Sequence, residues 1–239
     1  GRVDTKLLSP IQHRGASAQV DLTVLRSRDA LVAARTRLVN HVRGMVKSHG
    51  DRLLKCSTES FPKKAKDKIP EALRENLQPI LDTIADLGRR IREYDLKVAR
   101  LGKEKYPETK VLQQVSGVGP LTALAYVLIL ENPHRFRKSR KVGAYLGLRS
   151  RTRSSGRQAP EMRITKAGDG FLRRLLVQSA QYILGPFGPD TDLKHHGLAL
   201  ASHGRKNAKK RAVIAVARKL AVLLHRLWIT GEVYEPLRN

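Results

Sequence analysis

Cysteine occurs once in this 239-residue sequence, as Cys56, so neither an internal disulfide nor a multi-cysteine zinc site can be built from it. Aromatic residues make up only 5%, too few for a module that stacks unpaired bases on an aromatic sheet. No apolar run is long enough to span a membrane and no signal peptide is recognisable, which points to an intracellular, cytoplasmic chain with no membrane partner. No stretch alternates in the manner of a strand, so the expected class is all-α. Acids are scarce: 21 Asp and Glu face 47 Lys and Arg, for a net charge of +26. Those in the basic half (Glu161, Asp169, Asp190 and Asp192) show no pairing of the kind that holds Mg²⁺ for phosphodiester chemistry. His195, His196 and His203 lack carboxylate or cysteine neighbours at ligand spacing, so no metal site and no cofactor is expected in this chain. An initiator methionine is missing as well. Residues 1–19 show no long periodicity and are punctuated by Ser9-Pro10, as expected of a connector from inside a longer polypeptide.

What is present is a foldable, strongly patterned chain. Hydrophobic residues make up 41%, so the excess charge does not imply disorder. Val24, Leu31, Leu38 and Met45 fall seven apart, as do Leu25, Val32, Val39 and Val46. Two adjacent stripes at that period predict a long helix packed in coiled-coil manner, closed by the basic residues and glycine of Lys47-Ser48-His49-Gly50. A second seam runs Leu73, Leu77, Ile80, Ile84, Leu87, Ile91, Tyr94, Val98, Leu101 in steps of four and three. Pro70 and Pro79 are both candidates for its first turn, with Pro79 either kinking the helix or marking where its main part begins. The expected outcome is an antiparallel coiled-coil arm over 20–105, whose seams could also join chains into a homo-oligomer. A helical domain is expected over 106–239.

The second domain opens with VLQQVSGVGPLTALAYVLIL, which reads as helix, glycine turn, helix. Gly117 and Gly119 permit backbone conformations closed to other residues and leave the N–H groups of the second helix open to an anion. That is the helix-hairpin-helix device for holding a nucleic-acid phosphate; an ordinary turn between two helices is the alternative. The charge beside it favours nucleic acid. From His134 to Arg174 there are 13 Lys and Arg against Glu161 and Asp169. A solvated helix face interleaves both signs, and a loop this basic repels itself unless a polyanion neutralises it. The candidate phosphate ligands are Arg137, Lys138, Arg140, Lys141, Arg149, Arg151, Arg153, Arg157, Lys166, Arg173 and Arg174. To these, the acid-free run 203–220 adds Lys209 and Lys210. Trp228 is expected to be a core anchor rather than a stacking platform. Ser155, with Ser154 before it and Gly156 after it, is a hydroxyl set among arginines that could stabilise a phosphoryl transition state. Serines in loops also commonly bond only backbone or phosphate.

Three segments carry a specific resemblance: VLQQVSGVGPLTALAYVLIL, FRKSRKVGAYLGLRSRTRSSG and ITKAGDGFLRRLLVQSA. Their order of glycine hairpin, Tyr-x-Gly-Leu, Ser-Gly, Thr-Lys-x-Gly and Leu-Arg-Arg resembles the C-terminal domain of DEDD-type insertion-sequence transposases. That group includes the Piv-type DNA invertases and the bridge-RNA-guided recombinases. LLSPIQHRG and VLRSRDALVAARTRLVNHVRG are similar to the family's coiled-coil region. The resemblance implies that Ser155 is the nucleophile, that the partners are DNA and a structured guide RNA, and that the protein works near the nucleoid in DNA transposition and recombination. It also implies an acidic, Mg²⁺-binding domain ahead of residue 1, whose Asp-Glu-Asp-Asp set Asp4 does not match. The chain then corresponds to the C-terminal part of such a transposase. A non-catalytic nucleic-acid-binding or architectural module is the competing class. A helix-hairpin-helix repair factor would need a catalytic Asp or Lys that does not follow the hairpin.

Overall fold

The two seven-residue patterns form one antiparallel helix pair. A computed structural model describes residues 15–151, 162–204 and 207–237. In it α1 (Ala16–Ser48) and α3 (Glu71–Glu104) run in opposite directions along each other. Three cross-contacts set the register. Lys105 Nζ reaches Asp21 at 2.5 Å, Arg28 Nε reaches Asp95 at 2.5 Å, and Arg35 lies beside Gly88. On α1 the buried face is Leu22, Leu25, Val39, Val42 and Val46, so the stripe through Leu25 points inward. The neighbouring stripe through Val24 lies at its edge, with Met45 exposed. On α3 the interior positions are Leu77, Leu81, Ile84, Ile91 and Val98, with Gly88 and Gly102 allowing close approach. The expected seam is therefore rotated slightly, and its Ile84 and Ile91 are buried within this one chain.

α1 stops as its sequence indicates. Gly50 has φ +102°, and Asp51 N–H donates to the Val46 carbonyl. α3 begins after Pro70, and Pro79 sits inside it rather than at its start. Proline there removes one backbone donor, but Glu75 and Pro79 are exposed, so water can satisfy the freed carbonyl. The connector folds back over the far end of the pair. It contributes α2 (Phe61–Ala65) and joins Val39, Val42, Val46, Leu77 and Leu81 in a separate small core around Phe61. The Arg43 guanidinium covers the Phe61 ring at 5.2 Å.

The main core gathers around α5 (Pro120–Leu130), which is buried from Thr122 to Leu130. A helix apolar on every side can only be central. Leu22, Leu25 and Val98 from the base of the arm belong to the same core. So do residues of α4 (Thr109–Leu112), α6 (Arg140–Tyr145), α7 (Gly170–Leu184), α8 (Asp192–Ala201) and α9 (Ala208–Thr230). The fully buried Tyr126 hydroxyl donates to the Ala221 carbonyl at 2.6 Å, tying α5 to α9. Trp228 meets Tyr126 edge-on at 6.2 Å and packs against this core. The arm is fastened to the domain by charge as well. Arg26 pairs with Asp169 at 3.3 Å and Arg174 with Asp29 at 2.6 Å. Buried Asp21 accepts from Lys105 and from Tyr106 at 2.6 Å. Burial pushes its carboxyl pKa up, but these bonds outweigh burial and hold it below the ordinary carboxylate value.

Among the described residues there is no strand, only a single antiparallel bridge between Ser150 and Ile164. It belongs to a backbone stem. Arg151 N–H donates to the Arg163 carbonyl at 3.0 Å, Thr165 N–H to Arg149 at 2.9 Å, and Lys166 N–H to Gly147 at 3.1 Å. Two glycines let the stem close. Gly147 and Gly168 both have φ +68°. A methyl group on Gly147 would lie 2.4 Å from the Ala167 backbone, and one on Gly168 would lie 2.1 Å from the Tyr145 carbonyl oxygen. The Tyr-Leu-Gly-Leu and Thr-Lys-Ala-Gly segments thus meet backbone to backbone. Arg173 reinforces the contact by donating to the carbonyls of Leu146 (3.0 Å) and Ala167 (2.7 Å).

Gly147→Ala or Gly168→Ala should therefore cost at least about 2 kcal/mol, from left-handed strain plus backbone overlap. Gly119, with nothing within 4 Å of an added methyl, should accept alanine with little loss. Chemical denaturation of the three variants checks this; equal midpoints would show that the interlock is not tight.

Candidate nucleic-acid interface

Arg151 and Met162 flank the ten residues Thr152–Glu161, which lie outside the described residues; Ser154, Ser155, Arg153 and Arg157 are among them. What the structure does place is the base from which that segment departs and returns. Arg149, Arg151, Arg163 and Lys166 are there, with Arg149, Arg151, Arg163 and Lys166 all exposed. Lys166 has φ +59°, unusual for a residue with a side chain, and its N–H is committed to the stem.

The remaining candidates divide by what their side chains touch. Arg173 is occupied by the two carbonyls of the interlock, and Arg174 by Asp29 and the Phe171 ring at 5.5 Å. Both are positioned by the fold, and Arg174 stays exposed beside Asp29. Arg137, Lys138, Arg140 and Lys141 are exposed on the turn into α6. Lys209 and Lys210 are exposed on the first turn of α9, just after Arg205 and Lys206, which lie outside the described residues.

Gly117 and Gly119 serve different ends. Gly117 has φ +85°, and an added methyl would lie 3.0 Å from Tyr182 and 3.2 Å from the Ser179 carbonyl, so it brings the turn close against α7. Gly119 precedes α5 with its outer side open. Both border a shallow hollow of about 450 Å³ with Ser116, Thr122, Gln178 and Tyr182. No lysine or arginine lines it. The helix before the turn is also shorter than the sequence suggests, since α4 ends at Leu112 and Val115 sits in the turn region.

The cations converge elsewhere. A cleft of about 850 Å³ lies between α6, α9, the start of α8 and the C-terminal segment 232–236. Lys138, Arg140, Lys141 and Arg149 line one side, and Arg218, Lys219 and Arg226 the other. The last three are absent from the candidates drawn from sequence. A signal for them existed: Lys219 and Arg226 are seven apart, as are Arg211 and Arg218, which places each pair on one helical face. Tertiary structure turns that face toward α6, where the Arg218 stem lies against Gly143. Among the described residues, no three His, Cys, Asp or Glu side chains converge as metal ligands would. His195 meets one carboxylate, Asp190, at 2.6 Å.

Residues 109–195 match the profile of the transposase IS116/IS110/IS902 family. Longer similarities cover most of the chain. The chain is 30% identical over 239 positions to a probable family 20 transposase of Pseudomonas aeruginosa, covering 93% of this chain and 67% of that protein. It is 27% identical over 230 residues to the transposase for insertion sequence element IS1111A of Coxiella burnetii, covering 94% of this chain and 62% of the relative. A putative transposase of Sinorhizobium fredii, y4pF/y4sB, is 27% identical over 223 residues, covering 92% and 57%. The chain thus spans about three fifths of the length of the curated relatives it matches.

α9 lies outside the profile match, and one polar contact locks it to the matched residues. Fully buried His225 lies 2.8 Å from the Pro133 carbonyl through Nε2 and 3.0 Å from Ser139 Oγ through Nδ1. A carbonyl only accepts, so Nε2 carries the proton and Nδ1 accepts from the serine. Burial holds the imidazole pKa below its ordinary value of 6.5, opposed by the Pro133 bond and aided by nearby His134. His196 is lowered in the same way, by burial and by Lys219 and Arg218. The unfolded chain therefore takes up these protons first, and stability should decline as pH falls below 6.5. The thermal midpoint should drop between about pH 7.5 and about pH 5.5. The drop should be shallower in His225→Gln, which keeps a donor and an acceptor but cannot titrate. A parallel pH profile in the variant would rule out His225 as a source.

Proposed function

This chain belongs to the IS116/IS110/IS902 family of transposases, and from that premise we propose that it is the DNA-handling part of a transposase acting in DNA transposition. It binds DNA chiefly through phosphates and presents Ser155 as the nucleophile in strand exchange. The observation that carries this reading is the stem. Its glycine interlock brings Arg151 and Met162 to one place, so the segment containing Ser155 leaves and returns at a fixed base amid Arg149, Arg151, Arg163 and Lys166. A hydroxyl that attacks phosphorus needs such cations to stabilise the charge on the phosphoryl oxygens. It also needs an acceptor for its proton.

Among the described residues no three His, Cys, Asp or Glu side chains form a ligand cluster. No step is assigned to a metal here. We assign that part to the acidic domain that the family resemblance implies, in the same polypeptide or in a second protomer of a homo-oligomer. A structured RNA is the further partner proposed, on the same resemblance. The net charge of +26 suits either polyanion. Within the single chain, the buried faces of α1 and α3 cover one another.

Two measurements test the reading. If roughly six to ten phosphates are contacted, affinity for a DNA duplex should fall by about 10³–10⁵ between about 50 and 200 mM salt. A dissociation constant independent of salt would reject phosphate-led binding. In the protein completed with its acidic domain and guide RNA, Ser155→Ala should abolish covalent protein–DNA linkage while changing affinity by no more than about 0.5–1.5 kcal/mol. Ser154→Ala should be far milder. A covalent adduct that persists in Ser155→Ala would remove the serine from its role and leave an architectural DNA-binding module.

A further inference from the structure

The basic cleft between α6 and α9 has a construction that phosphate binding alone does not require. Seven cations line it, against the carboxylates of Asp192, Glu232 and Glu235. Between them lies an apolar floor of Leu193, Val222, Leu223 and Leu227, with Ala144 opposite. The far wall is the C-terminal segment, held by three contacts. Tyr234 N–H donates to Gln114 Oε1 at 2.9 Å, Asp192 N–H donates to the Pro236 carbonyl at 2.9 Å, and Arg226 pairs with Glu232 at 3.3 Å. Tyr234 itself lines the cleft, is partly buried, and packs against the main core.

A duplex keeps its bases stacked inside and offers a protein mainly charged backbone, so a flat or convex basic surface serves it. A concave floor of leucine and valine flanked by cations suits a strand whose bases are unpaired, since each base has an apolar face to bury and each phosphate a charge to neutralise. The volume, about 850 Å³, lies in the range that encloses a small ligand and so accommodates a few nucleotides rather than a helix. Arg149 connects this cleft to the stem, because its side chain lines the cleft while its carbonyl accepts from Thr165. An unpaired strand seated here would lead toward the stem at Arg149.

We infer that the α6–α9 cleft is a binding site for an unpaired stretch of nucleic acid, with bases on the partly exposed Val222–Leu223 floor and phosphates on the flanking cations. The inference rests on the nucleic-acid reading above, but not on Ser155.

The test uses the chain described here and two fluorescent probes, an oligothymidylate and a mixed-sequence duplex of equal length. Lys141→Glu combined with Lys219→Glu should weaken oligothymidylate binding on the order of tenfold or more. Duplex binding should change far less. Lys63→Glu with Lys64→Glu, on exposed residues of α2 in the arm, should alter neither selectively. In the unaltered chain, photo-crosslinking of an oligothymidylate carrying 5-iodouracil should mark Tyr234 or α9 residues 218–227. Equal weakening of duplex and single strand by the cleft variant would overturn the inference while sparing the broader one. So would a crosslink confined to other elements. Failure of the unaltered chain to bind either probe would overturn both.

Discussion

Most of what this fold does for its site depends on one interlock: the backbone of Gly147 against that of Ala167, and of Gly168 against the Tyr145 carbonyl. Both glycines take the left-handed conformation, and neither has room for a side chain. Closing these two segments on each other creates the stem of Ser150 and Ile164, and with it the fixed departure point of residues 152–161. The contact extends outward through Asp169. Its carboxylate accepts from Leu172 N–H at 2.9 Å, capping α7, and pairs with Arg26 on the arm. One short run, Lys166 to Asp169, therefore joins the loop base, a core helix and the arm.

The same economy governs the charge. A chain with a net +26 must place its few acids where they hold structure together. Asp21, Asp29, Asp95 and Asp169 each take a cation from a different element, and each sits within the arm or where the arm meets the domain. Cations at these junctions, including Arg174, carry structural ion pairs. Those on α6 and α9 form a groove on a face the arm does not cover. Structural ion pairs and ligand-facing cations thus come from the same sequence segments, and only their partners distinguish them.

The sequence patterns were informative in proportion to how local their causes are. Helix ends at Gly50 and Gly231 were legible because a positive-φ glycine terminates a helix by its own geometry. The inward faces of α1 and α3 followed from periodicity to within one stripe. Pro79 left an interior place and a helix start both open, and it lies inside, since a solvent-exposed proline is tolerated in a long helix when packing on the other face holds it. Arg173 and Arg174 also hold structural partners, which a doublet in a basic segment does not announce. Gly147 and Gly168 could not be paired from sequence, as twenty residues and a charged loop separate them. The cleft cations on α9 had a helical spacing, but nothing local says that this face turns toward α6.

What the sequence determined by itself is the all-α class, the positions where helices must end, the excess of positive charge and its concentration in 134–174 and 203–220. Each follows from properties that act over a few residues: repeat spacing, backbone freedom and net charge. Tertiary structure alone decided which glycines touch backbone, which arginines are occupied, and where an apolar floor lies between two rows of cations. Those outcomes depend on which surfaces meet, and periodicity names the face a helix buries without naming what that face is buried against.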